Sequence, residues 1–154
     1  MTNQETYVYE LLNEWLDVYV KPCKRENTYQ CYKYVIIMMK KQLPELSNKN
    51  LVSVNELYLQ KLLNGSAQKY SKSTIKKMKL VLKSAYNKAM SNHLCDSNPA
   101  SYLVIPESSE KEIRALTLEE QNKIIKAAKE DPLGHLAIFL LITGLRACEL
   151  RNLK

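Results

Sequence analysis

The chain has 154 residues with 23 Lys and Arg against 16 Asp and Glu, a formal net charge of +7. Its 45% hydrophobic and 25% charged content is that of a foldable chain, and three glycines are too few for a turn-rich sandwich or barrel or for a glycine-rich phosphate loop. No apolar run reaches the roughly 18–20 residues that span a bilayer, and residues 1–17 are acidic rather than signal-like. A cytoplasmic all-α protein without a membrane segment is expected.

The first helix is expected from about Glu5 to Tyr19, with Tyr7, Leu11, Trp15 and Val18 on one inward face. Lys21-Pro22 ends it. A second helix starts near Thr28 and runs through Tyr32, Val35 and Met39 to about Gln42, where Pro44 stops it. Ser53-x-x-Glu56 has capping-box spacing for a third, closing at Asn64-Gly65. The fourth, from about Ser71 to Asn92, carries two stripes. Ile75, Met78, Leu82, Ala85 and Ala89 step by three and four residues, and so do Lys72, Lys76, Lys79 and Lys83. At 3.6 residues per turn the lysines fall within about 60° of arc, some 110° from the apolar stripe.

Asn98-Pro99 breaks this pattern, and residues 99–114 read as a linker with one short β-like run, Tyr102 to Ile105, before the charged stretch Glu107–Arg114. Thr117-x-x-Glu120 opens another helix, to about Lys129, with Leu118, Ile124, Ile125 and Ala128 turned inward. Leu136 to Ile142 are seven consecutive apolar residues, which implies a helix buried nearly all round. Gly144 ends it, and a last short helix holds Ala147 to Leu153.

Charge is unevenly placed. Residues 1–99 hold 15 basic and 8 acidic side chains, whereas 100–154 hold 8 of each; within 57–95 there are eight lysines and no Asp or Glu. A polyanion suits such a segment, because each neutralised phosphate releases condensed counterions. Cys23, Cys31, Cys95 and Cys148 form no C-x-x-C pair and His93 and His135 stand apart, so no zinc or redox motif is supported.

The segment Thr143-Gly-Leu-Arg-Ala-Cys-Glu-Leu150, with Leu153, resembles the motif around the first catalytic arginine of tyrosine recombinases, the phage and transposon integrases. Arg114-Ala-Leu-Thr-Leu-Glu-Glu120 resembles the entry to that family's catalytic domain, and Asn98-Pro99 the end of its SAM-like core-binding domain. Thr28-Tyr29 with Tyr32, and Ser71-Lys-Ser-Thr-Ile75, resemble the starts of that domain's second and fourth helices. The markers occur in family order along nearly the whole chain.

The resemblance implies an all-α arrangement: a four- to five-helix core-binding bundle over 1–98, a linker over 99–114, and over 115–154 the first helices of an incomplete catalytic domain. It implies a mobile-element enzyme of DNA integration and recombination, in which a tyrosine forms a 3′-phosphotyrosine with no metal and no cofactor. By position Arg146 matches the first phosphate-stabilising arginine and Glu149 the acidic residue supporting it. Double-stranded DNA is the implied partner, with no small-molecule substrate. Contacts are implied at Lys24, Arg25, Thr28, Tyr29 and Lys33 near the second helix, and at Lys69, Ser71, Lys72, Ser73, Thr74, Lys76, Lys79 and Lys83 at the fourth. None of the ten tyrosines follows Arg146, so this chain is expected to be a truncated, inactive DNA-binding fragment. Self-association through the apolar C-terminal helices is expected. The competing reading is a helical protein-interaction module whose lysine face is merely solvated.

Overall fold

A computed structural model of the chain describes residues 6–107 and 114–153. It is all-α, with no strand among the described residues beyond one isolated bridge between Tyr7 and Asn50. The chain divides into two compact units, Met1–Glu110 and Lys111–Lys154.

In the first unit, α1 (Val8–Trp15) runs into a π-helical turn (Leu16–Val20), followed by α2 (Glu26–Gln42). Two 3₁₀ turns, Pro44–Asn48 and Leu51–Ser53, lead to α3 (Glu56–Ala67) and α4 (Lys72–Ser91). The π-turn departs from the periodic expectation. Its closing bond runs from Lys21 N to Leu16 O, five residues apart, at 2.9 Å. A wider turn delays the return of each side chain to the core face. Val18, expected inward, is therefore 60% exposed, and Val20 takes the core position at 3%.

The start of α3 also differs. Its N-cap is Asn55, whose side chain accepts from Tyr58 N at 2.9 Å. Ser53, the expected cap, sits in the preceding 3₁₀ turn and donates its hydroxyl to Asn50 O at 2.7 Å. The helix continues through Asn64-Gly65 to Ala67 rather than stopping there.

α1, α2 and α3 all pack against α4. The core holds the expected α4 stripe of Ile75, Met78, Leu82, Ala85 and Ala89, each fully buried, together with Val81 and Tyr86. Trp15 stacks on Tyr32 with ring centroids 5.9 Å apart. α4 ends in a Schellman arrangement: Leu94 N donates to Ala89 O (2.9 Å) and His93 N to Met90 O (3.0 Å), with His93 left-handed at φ 56°.

The segment after Asn98 belongs to this unit. Asn98 donates to Lys83 O (2.9 Å) and Asn87 Oδ1 (2.7 Å) and accepts from Ala100 N (2.7 Å). Ala100 and Leu103 are buried in the core. The run Tyr102–Ile105 joins no sheet. Instead the Gln60 carboxamide bonds both Val104 N and Val104 O at 2.8 Å, as a neighbouring strand would. Residues 108–113 of the expected charged stretch lie outside the described residues.

The second unit comprises α5 (Leu118–Ala128), α6 (Gly134–Thr143) and α7 (Ala147–Arg151). The expected Thr117/Glu120 capping box forms: Glu120 N donates to Thr117 Oγ1 (3.3 Å) and Thr117 N to Glu120 Oε2 (2.9 Å). Arg114 adds two bonds to the same carboxylate, at 2.6 and 2.8 Å. α5 packs on α6 through Gly134, where a side-chain Cβ would stand 1.8 Å from Ala128 O. Gly144 closes α6 in the left-handed region at φ 67°.

Burial here contradicts the sequence pattern. Of the α5 residues expected inward, Ala128 is buried, whereas Leu118 is 77% exposed. α6 is not enclosed either: Leu136, Phe139 and Ile142 are 38, 41 and 76% exposed. An apolar helix needs neighbours on every side to be enclosed, and α5 covers one side only.

Candidate nucleic-acid interface

Ser71 starts α4 by accepting from Thr74 N, and its hydroxyl also meets Ser73 Oγ (3.2 Å) and Thr74 Oγ1 (3.1 Å). This hydroxyl cluster sets the helix start without a carboxylate, leaving the first turn free of acidic charge. Seven residues of α4 face the core, which fixes its rotation and turns the lysine stripe to one shoulder. Lys76 and Lys83 are exposed, while Lys72 and Lys79 are half-buried. The ion pairs among the described residues are Arg114–Glu120 and Arg146–Glu149, both in the second unit, so no carboxylate pairs with Lys76, Lys79 or Lys83. From Lys72 to Lys83 the stripe extends about 16 Å along the helix at 1.5 Å per residue.

Lys69 lies just before α4, and its ammonium donates to Gln42 Oε1 at the end of α2 (3.3 Å). At the other end, Asn92 Nδ2 donates to Tyr19 OH (3.2 Å) and Tyr29 OH donates to Asp17 Oδ1 (3.1 Å). The start of α2 and the end of α4 thus both meet the π-turn, and α2 and α4 run antiparallel. The stripe begins beside the end of α2 and proceeds toward its start.

That start carries the second candidate group. Arg25 is the N-cap of α2, its carbonyl accepting from Thr28 N at 2.8 Å, and Lys24 N bonds Val20 O at 2.8 Å. Lys24, Arg25 and Lys33 are exposed, and Thr28 and Tyr29 are half-buried. The bond to Asp17 raises the Tyr29 phenol above its ordinary pKa of 10.0. The fold therefore places the sequence-selected residues of the first unit in two groups: one at the start of α4 and along it, the other at the start of α2 beside the π-turn and on to Lys33. The π-turn residues Asp17 and Lys21, whose ammonium lies 5.9 Å from the Tyr29 ring centroid, carry no sequence signal of their own.

Arg146 and Glu149 occupy the α6–α7 corner of the second unit. Arg146 is the N-cap of α7. Glu149 accepts from Arg146 N (2.8 Å) through one oxygen and from Nη1 (3.1 Å) through the other. One carboxylate thus caps the helix and steers the guanidinium, whose side chain is 81% exposed and keeps further N–H donors available. No group of three or more metal-ligating side chains occurs among the described residues. None of the described helices is long and apolar enough to cross a membrane.

No protein-family model matches the chain, and no curated protein does. Solved structures do. The chain is similar to the Tn1549 transposon integrase in complex with circular intermediate DNA, with a TM-score of 0.72, 19% identity, 97% of this chain covered and 50% of that one. It is likewise similar to a variant of that integrase in complex with transposon right end DNA, with a TM-score of 0.73, 19% identity, and 97% and 48% covered. It therefore spans about half the length of the integrase structures it matches. Over nearly all its length the chain has the all-α fold found in the Tn1549 transposon integrase.

Proposed function

We propose that the chain is a DNA-binding portion of a tyrosine recombinase, a site-specific integrase of a mobile element. Residues 1–98 act as the core-binding domain, 99–114 as the linker, its first residues packed into that domain's core, and 115–154 as part of the catalytic domain. The observation that carries this reading is the lysine stripe of α4. It is outward-facing, its Lys76, Lys79 and Lys83 lack carboxylate partners, and it stands on a fold shared with integrases solved on DNA. Lys69, Ser71, Lys72, Ser73, Thr74, Lys76, Lys79 and Lys83 form one group of contacts, and Lys24, Arg25, Thr28, Tyr29 and Lys33 the other. Lysines dominate, so the contacts are mainly to phosphates and position the duplex rather than read its sequence.

Arg146 serves the scissile phosphate. A guanidinium is planar and permanently charged, and its donors match the oxygens on which charge develops. Glu149 holds it. No tyrosine follows Arg146 in these 154 residues, so strand cleavage is not carried by this chain alone. It needs neither metal nor cofactor, and it works in the cytoplasm, where it meets DNA.

Equilibrium binding to labelled duplex DNA across a salt series tests the reading. With about six phosphates engaged, log K falls with log salt at a slope of about −5. Replacing Lys72, Lys76, Lys79 and Lys83 with Glu abolishes retention. A flat salt response refutes DNA binding. A nicked suicide duplex gives no covalent adduct with the 154-residue chain, and an adduct refutes that assignment.

A second reading concerns self-association. The exposed side chains of Leu136, Phe139 and Ile142 on α6 favour pairing of two copies. Sedimentation at tens of micromolar gives a mass above the monomer; a strictly monomeric boundary excludes it.

A further inference from the structure

The π-turn holds one more exposed cation, and holds it in place. Lys21 closes that turn through its backbone bond to Leu16 O, and its ammonium lies over the Tyr29 ring at 5.9 Å from the centroid. Tyr29 is itself tied down, its hydroxyl donating to Asp17 Oδ1 at 3.1 Å. Lys24 and Arg25, also exposed, follow within a turn. Two carboxylates lie near Tyr29. Asp17 is engaged by the Tyr29 hydroxyl, and Glu26 accepts from Gln30 Nε2 at 2.6 Å. Neither makes an ion pair with Lys21.

We infer that Lys21 is a further DNA-phosphate contact, seated by the face of Tyr29, and that Asp17 is the positioning residue that fixes that ring. The inference rests on the DNA-binding reading above. A free lysine side chain samples many rotamers and loses that freedom when it grips a phosphate. A ring face that already attracts the ammonium narrows the search before DNA arrives. Asp17 looks wrongly signed for a DNA surface, yet its carboxylate accepts the Tyr29 hydroxyl and so anchors the ring on which Lys21 rests.

The test is duplex binding across a salt series for the wild-type chain, K21Q, K76Q, D17N and D17A, with the two Asp17 variants repeated in a K21Q background. K21Q makes the slope of log K against log salt shallower by about 0.9, the loss of one phosphate contact, as K76Q does. D17N and D17A carry equal charge, but only Asn keeps a side-chain acceptor for the Tyr29 hydroxyl. D17A therefore binds about threefold more weakly than D17N, and the gap vanishes in the K21Q background. A wild-type slope in K21Q beside a shallower one in K76Q overturns this inference while DNA binding stands. A gap that persists in the K21Q background overturns the positioning role of Asp17. A salt-independent wild-type chain overturns both the inference and the reading beneath it. Lys21 is exposed and outside the core, so K21Q probes the contact without disturbing the packing.

Discussion

The rotation of α4 makes a prediction that net charge alone does not. Lys77 and Lys88 belong to the same helix as the stripe, but at 100° per residue they project about 140° away from it, on the opposite shoulder. Lys88 is also engaged locally, its ammonium 4.9 Å from the Tyr19 ring centroid. Neutralising K76Q/K79Q/K83Q together removes three of about six phosphate contacts, so the salt slope changes from about −5 to about −2.7. Between 50 and 200 mM salt the wild-type affinity then falls by about a thousandfold or more, and that of the triple variant by about fortyfold. The control K77Q/K88Q removes two positive charges from the same helix and keeps the wild-type slope within about 0.5.

Fluorescence anisotropy of a labelled duplex, titrated at four or five salt concentrations, reads these slopes directly. Helical content by circular dichroism shows that each variant is folded. Equal loss of slope in the triple variant and the control refutes the reasoning, because it makes binding a matter of net charge rather than of one helix face. An unchanged slope in the triple variant refutes it from the other side.

Four further predictions concern stability and pH. Tyr86 is fully buried with no partner for its hydroxyl among the described residues, and burial raises its phenol pKa. Y86F removes that unsatisfied group and stabilises the first unit by about 1 kcal/mol in urea unfolding; a loss of that size refutes it. His93 pays a left-handed penalty at φ 56°, so H93G raises stability by about 0.5–1 kcal/mol, the backbone relief exceeding the added chain entropy. G134A drives a methyl into Ala128 O and costs the second unit about 2 kcal/mol, seen as faster amide exchange in α5 and α6. Glu120 is held at about pKa 2, first by Arg114 and then by Thr117. Its folded value lies below its ordinary 4.5, so its support of the α5 start is complete above that pH and is lost as pH falls toward 2. A carboxyl NMR titration of Glu120 with a midpoint near 4.5 contradicts this.

What the sequence disclosed follows the range of the forces involved. α4 was readable because its inward and outward residues both recur at three and four, and one continuous helix preserves that phase from Ser71 to Asn92. Thr117 and Glu120 were readable because a capping box is complete within four residues. The phase of α1 is lost at the π-turn, so Val18 and Val20 exchange roles and Asp17 is brought to Tyr29, twelve residues away. The choice of Asn55 over Ser53 turns on a short 3₁₀ turn that occupies the serine hydroxyl elsewhere. Leu118 and the α6 residues satisfy every local criterion for burial, but burial requires a neighbour, and periodicity says nothing about whether one is there.

The magnitudes explain how α4 tolerates its own charge. Lys72–Lys76, Lys76–Lys79 and Lys79–Lys83 are like-charge neighbours at helical spacing, each costing a few tenths of a kcal/mol, about 1 kcal/mol for the three. On the inward face Ile75, Met78, Val81, Leu82 and Tyr86 are fully buried, and at roughly 1.5–3 kcal/mol each their burial contributes about 10 kcal/mol as an upper estimate. Packing therefore outweighs the repulsion about tenfold, and the helix stands whichever charges its outer shoulder carries. The same comparison makes the neutralised triple variant at least as stable as the wild-type chain, since it relieves repulsion and leaves the buried face intact. Loss of DNA affinity with retained or raised thermal stability is thus the combination that marks a surface shaped for a polyanion, and a triple variant that unfolds more readily contradicts it.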